Sequence, residues 1–130
     1  AGSTASQGEL NYENNFRAIR YSDVLLMAAE ANNRKTGADD AKAQNYLNQV
    51  RARAFGNASQ ASTSTGATLT QEIWDERRLE FAMEGHRFFD LVRTGEAAAK
   101  ISGFVSGKHE VFPIPQTEID ISGLTQNPGY

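Results

Sequence analysis

The sequence predicts a mainly α-helical domain that ends in an irregular tail. Three observations carry this. Apolar residues recur at spacings of three and four in three separate segments between residues 16 and 92. Asp and Gly stand where those segments should start and stop. From Ile101 onward the helical period is lost and Gly and Pro become frequent.

The first segment, FRAIRYSDVLLMAAEANNRKT (16–36), places Tyr21, Val24, Leu25 and Ala28 on one stripe. Leu26 and Met27 widen the apolar surface, and Arg20, Asp23, Glu30 and Arg34 take the remaining side. This width predicts a central helix, covered on more than one side, with Gly37 as its stop. Asp39 or Asp40 then caps a second helix over 40–55, whose stripe is Ala43, Tyr46, Leu47, Val50 and Ala54. The connection is short enough to force antiparallel packing, so 16–55 is a helical hairpin. GNASQASTSTGAT (56–68) has no large apolar side chain and reads as a mobile loop. A third, long helix is expected over 70–92, with Thr70 as N-cap and Gly95 as terminator, and a short turn over 96–100 follows. In the tail, 101–130, Phe104, Val111, Phe112 and Ile114 are the expected anchors, and Pro113 and Pro115 impose an extended path. Residues 1–13 read as a disordered lead-in or expression remnant, and 14–130 as one structural portion.

Composition excludes several classes of function. The 130 residues carry 39% hydrophobic and 22% charged side chains and a net charge of −3. There is no basic stripe to neutralise a phosphate backbone, so no nucleic-acid partner is expected. No run is long enough to span a bilayer, and no secretion signal is visible. The absence of cysteine removes disulfides, thiolate zinc sites, cysteine nucleophiles and a lipidated cysteine from this stretch.

The segment ERRLEFAMEGHRFFDLVRTG (76–95) raises the question of catalysis. On a continuous helix Ile73, Arg77, Phe81, Gly85, Phe88 and Val92 share one stripe, flanked by Trp74 and Leu91. Arg77 then points inward and needs a carboxylate: Glu80, Glu84, Glu30 and Asp23 are the candidates. Gly85 on that stripe suggests that another backbone approaches closely, and Arg87 can pair with Asp90 at i, i+3. A metal site is not expected. HExxH is absent, Glu84 and His86 point to different sides of a helix, and arginines compete for Glu76, Glu80 and Glu84. No glycine elbow presents a serine, and no glycine-rich phosphate loop is present. His86 and His109 read as structural. Glycoside hydrolysis needs two carboxylates across a cleft, and here each carboxylate has an arginine near it in sequence. The expectation is therefore no catalytic, metal-binding or cofactor-binding residue and no cofactor, with the charged helix fixing packing register. Trp74, the single tryptophan, reads as core packing rather than as a sugar-stacking platform.

Four stretches carry a family resemblance. NNFRAIRYSDVLLMAAEA resembles the R-Y-A-D-V-L-L-M-x-A-E-A helix of the SusD/RagB family. AKAQNYLNQVRARA is similar to its A-L-x-x-L-N-x-V-R-x-R-A helix. ERRLEFAMEGHRFFDLVRTG is similar to E-R-R-x-E-L-A-x-E-G-x-R-x-x-D-L-x-R-W-G, and KHEVFPIPQTEIDISGLTQNPGY to an ending of the type x-F-P-I-P-x-x-E-I-x-x-N-P-x-L-x-Q-N-P-G-Y. Thr94 departs from the frequent tryptophan, and Ser122-Gly123 from Asn-Pro. The order is that of the family, and it covers residues 14–130. The resemblance implies the C-terminal part of a SusD-like fold, with 16–55 as a tetratricopeptide-like helix pair. It implies an outer-membrane, cell-surface lipoprotein of Bacteroidota, anchored by a lipid upstream. Its implied role is to bind a nutrient, a glycan above all, for uptake through a SusC-like TonB-dependent porin. The implied partners are that porin, the nutrient, and an N-terminal part of the same fold. Ligand-binding residues remain unknown at this stage. The alternative is a helical-repeat interaction scaffold that binds no sugar.

Overall fold

The computed structural model describes residues 18–130, so the expected lead-in over 1–13 lies outside the described residues. They form six helices and no strand: α1 (Tyr21–Arg34), α2 (Asp40–Phe55), α3 (Gly66–Glu80), α4 (Arg87–Arg93), α5 (Ala97–Lys100) and α6 (Gln116–Ser122). The fold is mainly α, as the periodicity predicts. The described residues divide into two compact units, one ending at Arg77 and the other spanning Arg78–Tyr130.

In the first unit α1 and α2 form an antiparallel hairpin, with Tyr21 and Leu25 beside Gln49 and Arg53. Asp39 Oδ1 accepts from the Lys42 backbone N–H at 3.0 Å, which starts α2, and Gly56 ends it in the left-handed region at φ +71°. The core consists of Leu25, Leu26, Ala29, Ala43, Leu47, Val50, Leu69 and Ile73.

The buried face of α1 is rotated from the predicted one, with Leu25 common to both. Tyr21, Val24 and Met27 are 72%, 46% and 47% exposed, while Ser22, Asp23, Glu30 and Asn33 are buried beside Leu25, Leu26 and Ala29. Asp23 and Asn33 can occupy this inner face because partners from α2 and α3 meet them there, and Ser22 and Glu30 are met by Arg20 and Arg34. The helix also starts at Tyr21 rather than at residue 16 and ends before Lys35, ahead of Gly37.

The segment expected as a mobile loop is tied along α2. Asn48 clasps Ser62 through both amide atoms: Nδ2 donates to the Ser62 carbonyl at 3.1 Å and Oδ1 accepts from its N–H at 2.7 Å. Gln44 Nε2 donates to the Ser64 carbonyl at 2.8 Å, and Arg51 Nη1 to that of Gln60 at 3.3 Å. Gln44, Asn48 and Arg51 share a helical face, so one side of α2 reads the backbone of the connection.

The expected helix over 70–92 is two helices. α3 begins at Gly66, and Thr70 lies inside it rather than capping it. The Gly66 N–H is met by Asp40 Oδ2 at 2.8 Å, a cap supplied from the start of α2. After Glu80 the chain turns, with Met83 at φ +68° and Gly85 at φ +80°. Gly85 thus serves its left-handed conformation; no neighbouring backbone crowds it, contrary to the expected close approach. The turn resets the helical phase, so α4 buries Asp90 and Leu91 rather than Phe88 and Val92.

In the second unit the tail is less irregular than predicted. α6 follows Pro115 and ends at Gly123, φ +68°, and its seven residues are too few to display a period. Phe112 is 70% exposed and so does not anchor the tail by burial. Side-chain hydrogen bonds hold it instead. Gln126 pairs with both backbone atoms of Ile114, accepting from its N–H at 2.8 Å and donating to its carbonyl at 2.9 Å. Asn127 Nδ2 donates to the Phe112 carbonyl at 2.6 Å, and Tyr130 Oη to that of Val111 at 3.0 Å.

Candidate functional site

Three polar clusters converge in the first unit. Arg77 Nη1 donates to Asp23 Oδ1 at 2.6 Å, with side chains only 7% and 10% exposed. Of the four carboxylates the sequence offered to Arg77, the structure supplies Asp23 from α1. In the second cluster Arg51 joins α2 to two turns of α3, with Nε 2.9 Å from Glu76 Oε2 and Nη1 3.1 Å from Glu72 Oε2. Ser64 Oγ donates to Glu72 Oε1. In the third, Asn33 Nδ2 donates to Asp40 Oδ1 at 2.7 Å and to the Gly66 carbonyl at 3.1 Å, and Thr70 Oγ1 donates to Asn33 Oδ1.

Two of these carboxylates, Asp40 and Glu72, are held in the ionised form by their neighbours. The Gly66 N–H, then the Asn33 amide, lower the Asp40 carboxyl from its ordinary 3.8 against a small effect of burial. Burial pushes the Glu72 carboxyl up, but hydrogen bonds from Ser64 and Ser62 and the charge and donors of Arg51 outweigh it, leaving it below its ordinary 4.5. A carboxyl depressed in the folded state stabilises the fold fully above its ordinary value, and that contribution disappears as pH falls towards the folded value. Resistance to urea should therefore be flat above about pH 5.5 and fall below about pH 4.5. Glu72→Gln should flatten the fall; equal slopes for both chains would refute this role of Glu72.

No pair of these carboxylates faces an open cleft as a hydrolase requires, because guanidinium, amide, hydroxyl or backbone donors occupy them. Among the described residues no group of three His, Asp or Glu side chains is placed to hold a metal ion. His86 precedes α4 and leans on Phe81, with ring centroids 4.9 Å apart. His109 Nδ1 accepts from the Val105 N–H at 3.0 Å, and its ring meets Phe104 edge-on at 5.6 Å. Trp74 is half-buried, with the Arg34 guanidinium 5.5 Å above its ring and its indole N–H buried without an acceptor. That face of the ring is covered.

Among the described residues, two open features bring side chains of different segments together. A groove of about 370 Å³ lies between the start of α1, with Arg20, Tyr21 and Ser22, and the end of α2, with Gln49 and Arg53; Leu25 and Val50 form its floor. In the second unit Phe88 gathers Phe89, Phe104 and Phe112 at centroid distances of 5.6, 6.5 and 6.3 Å. Sequence reasoning missed the groove. Its residues come from opposite ends of two helices, and only their antiparallel packing joins them.

Comparison with known proteins adds the context. The sequence model described as the SusD family matches residues 1–111. Three proteins of Formosa agariphila are similar to the chain. SusD-like protein P25 is 39% identical over 65% of this chain and 16% of its own length. SusD-like protein P2 is 31% identical over 100% of this chain and 28% of its own, and SusD-like protein P38 is 32% identical over 73% and 20%. The chain thus spans less than a third of the length of each of these relatives. No solved structure matches it significantly.

Proposed function

Because the chain belongs to the SusD family, we propose that it is the C-terminal part of a surface lipoprotein that binds a nutrient, a glycan in the first instance, and passes it to a SusC-like TonB-dependent transporter in the outer membrane. The single observation that carries the reading is the family match across residues 1–111. The structure supports it indirectly. Asp23, Arg51, Glu76 and Arg77, the charges of three family-like motifs, pair with one another across α1, α2 and α3. They act as a scaffold and leave no reactive constellation. Binding without turnover is the corresponding activity; sustained hydrolysis of any member of a glycan panel would refute it. Co-purification of the longer protein with a TonB-dependent porin tests the partnership.

The outer stripe of α1 supports the proposal that the remainder of the same polypeptide covers this chain. Tyr21, Val24 and Met27 form an exposed apolar row at helical spacing, of a kind that soluble surfaces seldom leave open. The 130-residue chain alone should self-associate in size-exclusion chromatography with light scattering. Val24→Glu with Met27→Glu should shift it to monomer. A wild-type monomer would remove this reading and favour an autonomous helical scaffold.

A further inference from the structure

We infer that Met83, at the crest of the turn between α3 and α4, is an anchor that inserts into an apolar pocket on the remainder of the same polypeptide; this adds a second contact to the outer row of α1 and rests on the same reading that the chain is covered. Among the described residues Met83 is the one residue other than glycine in the left-handed region, at φ +68°. A side chain resists that conformation because its Cβ crowds the backbone, and Gly, Asn or Asp takes it at lower cost. Two residues on, Gly85 meets the same demand in the ordinary way. Strain of this kind persists where the surrounding structure or a function holds it. No described residue covers the methionine, which is fully exposed. The use of its side chain therefore lies outside the described residues.

The turn presents this side chain rigidly. The Ala82 N–H donates to the Leu79 carbonyl at 3.4 Å and the Glu84 N–H to that of Phe81 at 3.1 Å. Phe81 is buried and His86 leans on its ring, so both flanks of the crest are held down. A preorganised side chain loses little freedom on docking. Leu79 and Ala82, at i−4 and i−1 from Met83, are exposed too and make the crest an apolar patch. A flexible, polarisable thioether suits a pocket of irregular shape. The relatives indicate which surface supplies that pocket. This chain spans 16%, 28% and 20% of their lengths, so most of each relative lies in residues that this chain does not contain. An occupant on the same polypeptide also meets the crest without the loss of translational freedom that a second molecule incurs.

The test is peroxide footprinting of the longer polypeptide, read by peptide mass spectrometry, with the same polypeptide in denaturing urea as the exposed reference. Peroxide converts an accessible thioether to the sulfoxide. Met83 should react at least about tenfold more slowly in the native protein than in urea, but at nearly the urea rate in the 130-residue chain. Met83 open in the native longer polypeptide, with Met27 protected, would overturn the anchor and leave the cover of α1 standing. Both methionines open would overturn both. Protection of Met83 in the 130-residue chain that grows with its concentration would assign the pocket to a second copy and overturn the proposal. A variant reads the strain independently. Met83→Asn should raise the urea midpoint of the 130-residue chain, because Asn accepts the left-handed backbone more readily, and lower that of the longer polypeptide, because the anchor is lost. A rise in both would overturn the anchor.

Discussion

Asp23→Ala is expected to cost about 3–5 kcal/mol, because it removes the carboxylate 2.6 Å from the buried Arg77 guanidinium. The two side chains lie 54 residues apart in sequence and 2.6 Å apart in space, with little solvent to screen or rehydrate either. The magnitude is the cost of depriving a buried guanidinium of this carboxylate, and not the net worth of the pair. Forming the pair requires that both ions be desolvated, so their attraction and that penalty largely offset. The control is the double replacement Asp23→Leu with Arg77→Met. It removes both charges, fills the space with apolar side chains, and should recover most of the loss. Urea unfolding of the wild type, Asp23→Leu, Arg77→Met and the double variant gives the cycle directly. If Asp23→Ala costs less than about 1 kcal/mol, the pair is solvated and the account of the charged helix as a packing device is wrong.

Leu26→Ala is expected to cost about 3–5 kcal/mol, whereas Val24→Ala in the same chain should cost less than about 0.5 kcal/mol. Leu26 is fully buried in the hairpin, so truncation removes buried methyl groups and opens a cavity. Val24 is 46% exposed and leaves no cavity behind. The contrast discriminates sharply, because periodicity alone put Val24 on the core stripe and gave Leu26 the flank. A second comparison extends it. In the longer polypeptide, where the outer face of α1 is proposed to be covered, Val24→Ala should become costly while Leu26→Ala keeps its cost. Equal costs for Val24→Ala in both settings would mean that nothing covers that face.

How far each element was legible depends on where its determinants sit. The cap of α2, which the sequence left between Asp39 and Asp40, and the stop at Gly95 use hydrogen bonds and backbone conformations within a few residues of the element they bound. They are written where they act. The stripe Ala43, Leu47, Val50 is equally local, because a hairpin partner buries whichever face is apolar. Gly85 was recognised as unusual but assigned the wrong reason. A glycine inside a periodic pattern fits close packing as well as a left-handed turn, and the apolar spacing of Phe81, Phe88 and Val92 continued across the break by coincidence of phase.

The candidate groove was not legible at all. Arg20 and Tyr21 lie some thirty residues from Gln49 and Arg53, and nothing in either stretch refers to the other. The clasp of the tail was half legible: the turn signal of Asn127-Pro128-Gly129 is in the sequence, but the reach of Gln126 to Ile114 and of Tyr130 to Val111 is not.

The sequence by itself determined the helical class, the hairpin and the family. These rest on short-range sterics, local hydrogen bonds and motif order. Only the tertiary structure decided which face of α1 is inside, which carboxylate answers Arg77, and that Asp40 caps a helix 26 residues away. The physical reason is the same in each case. A buried polar group is stable only beside its partner, and the identity of that partner is a property of packing, which periodicity does not encode.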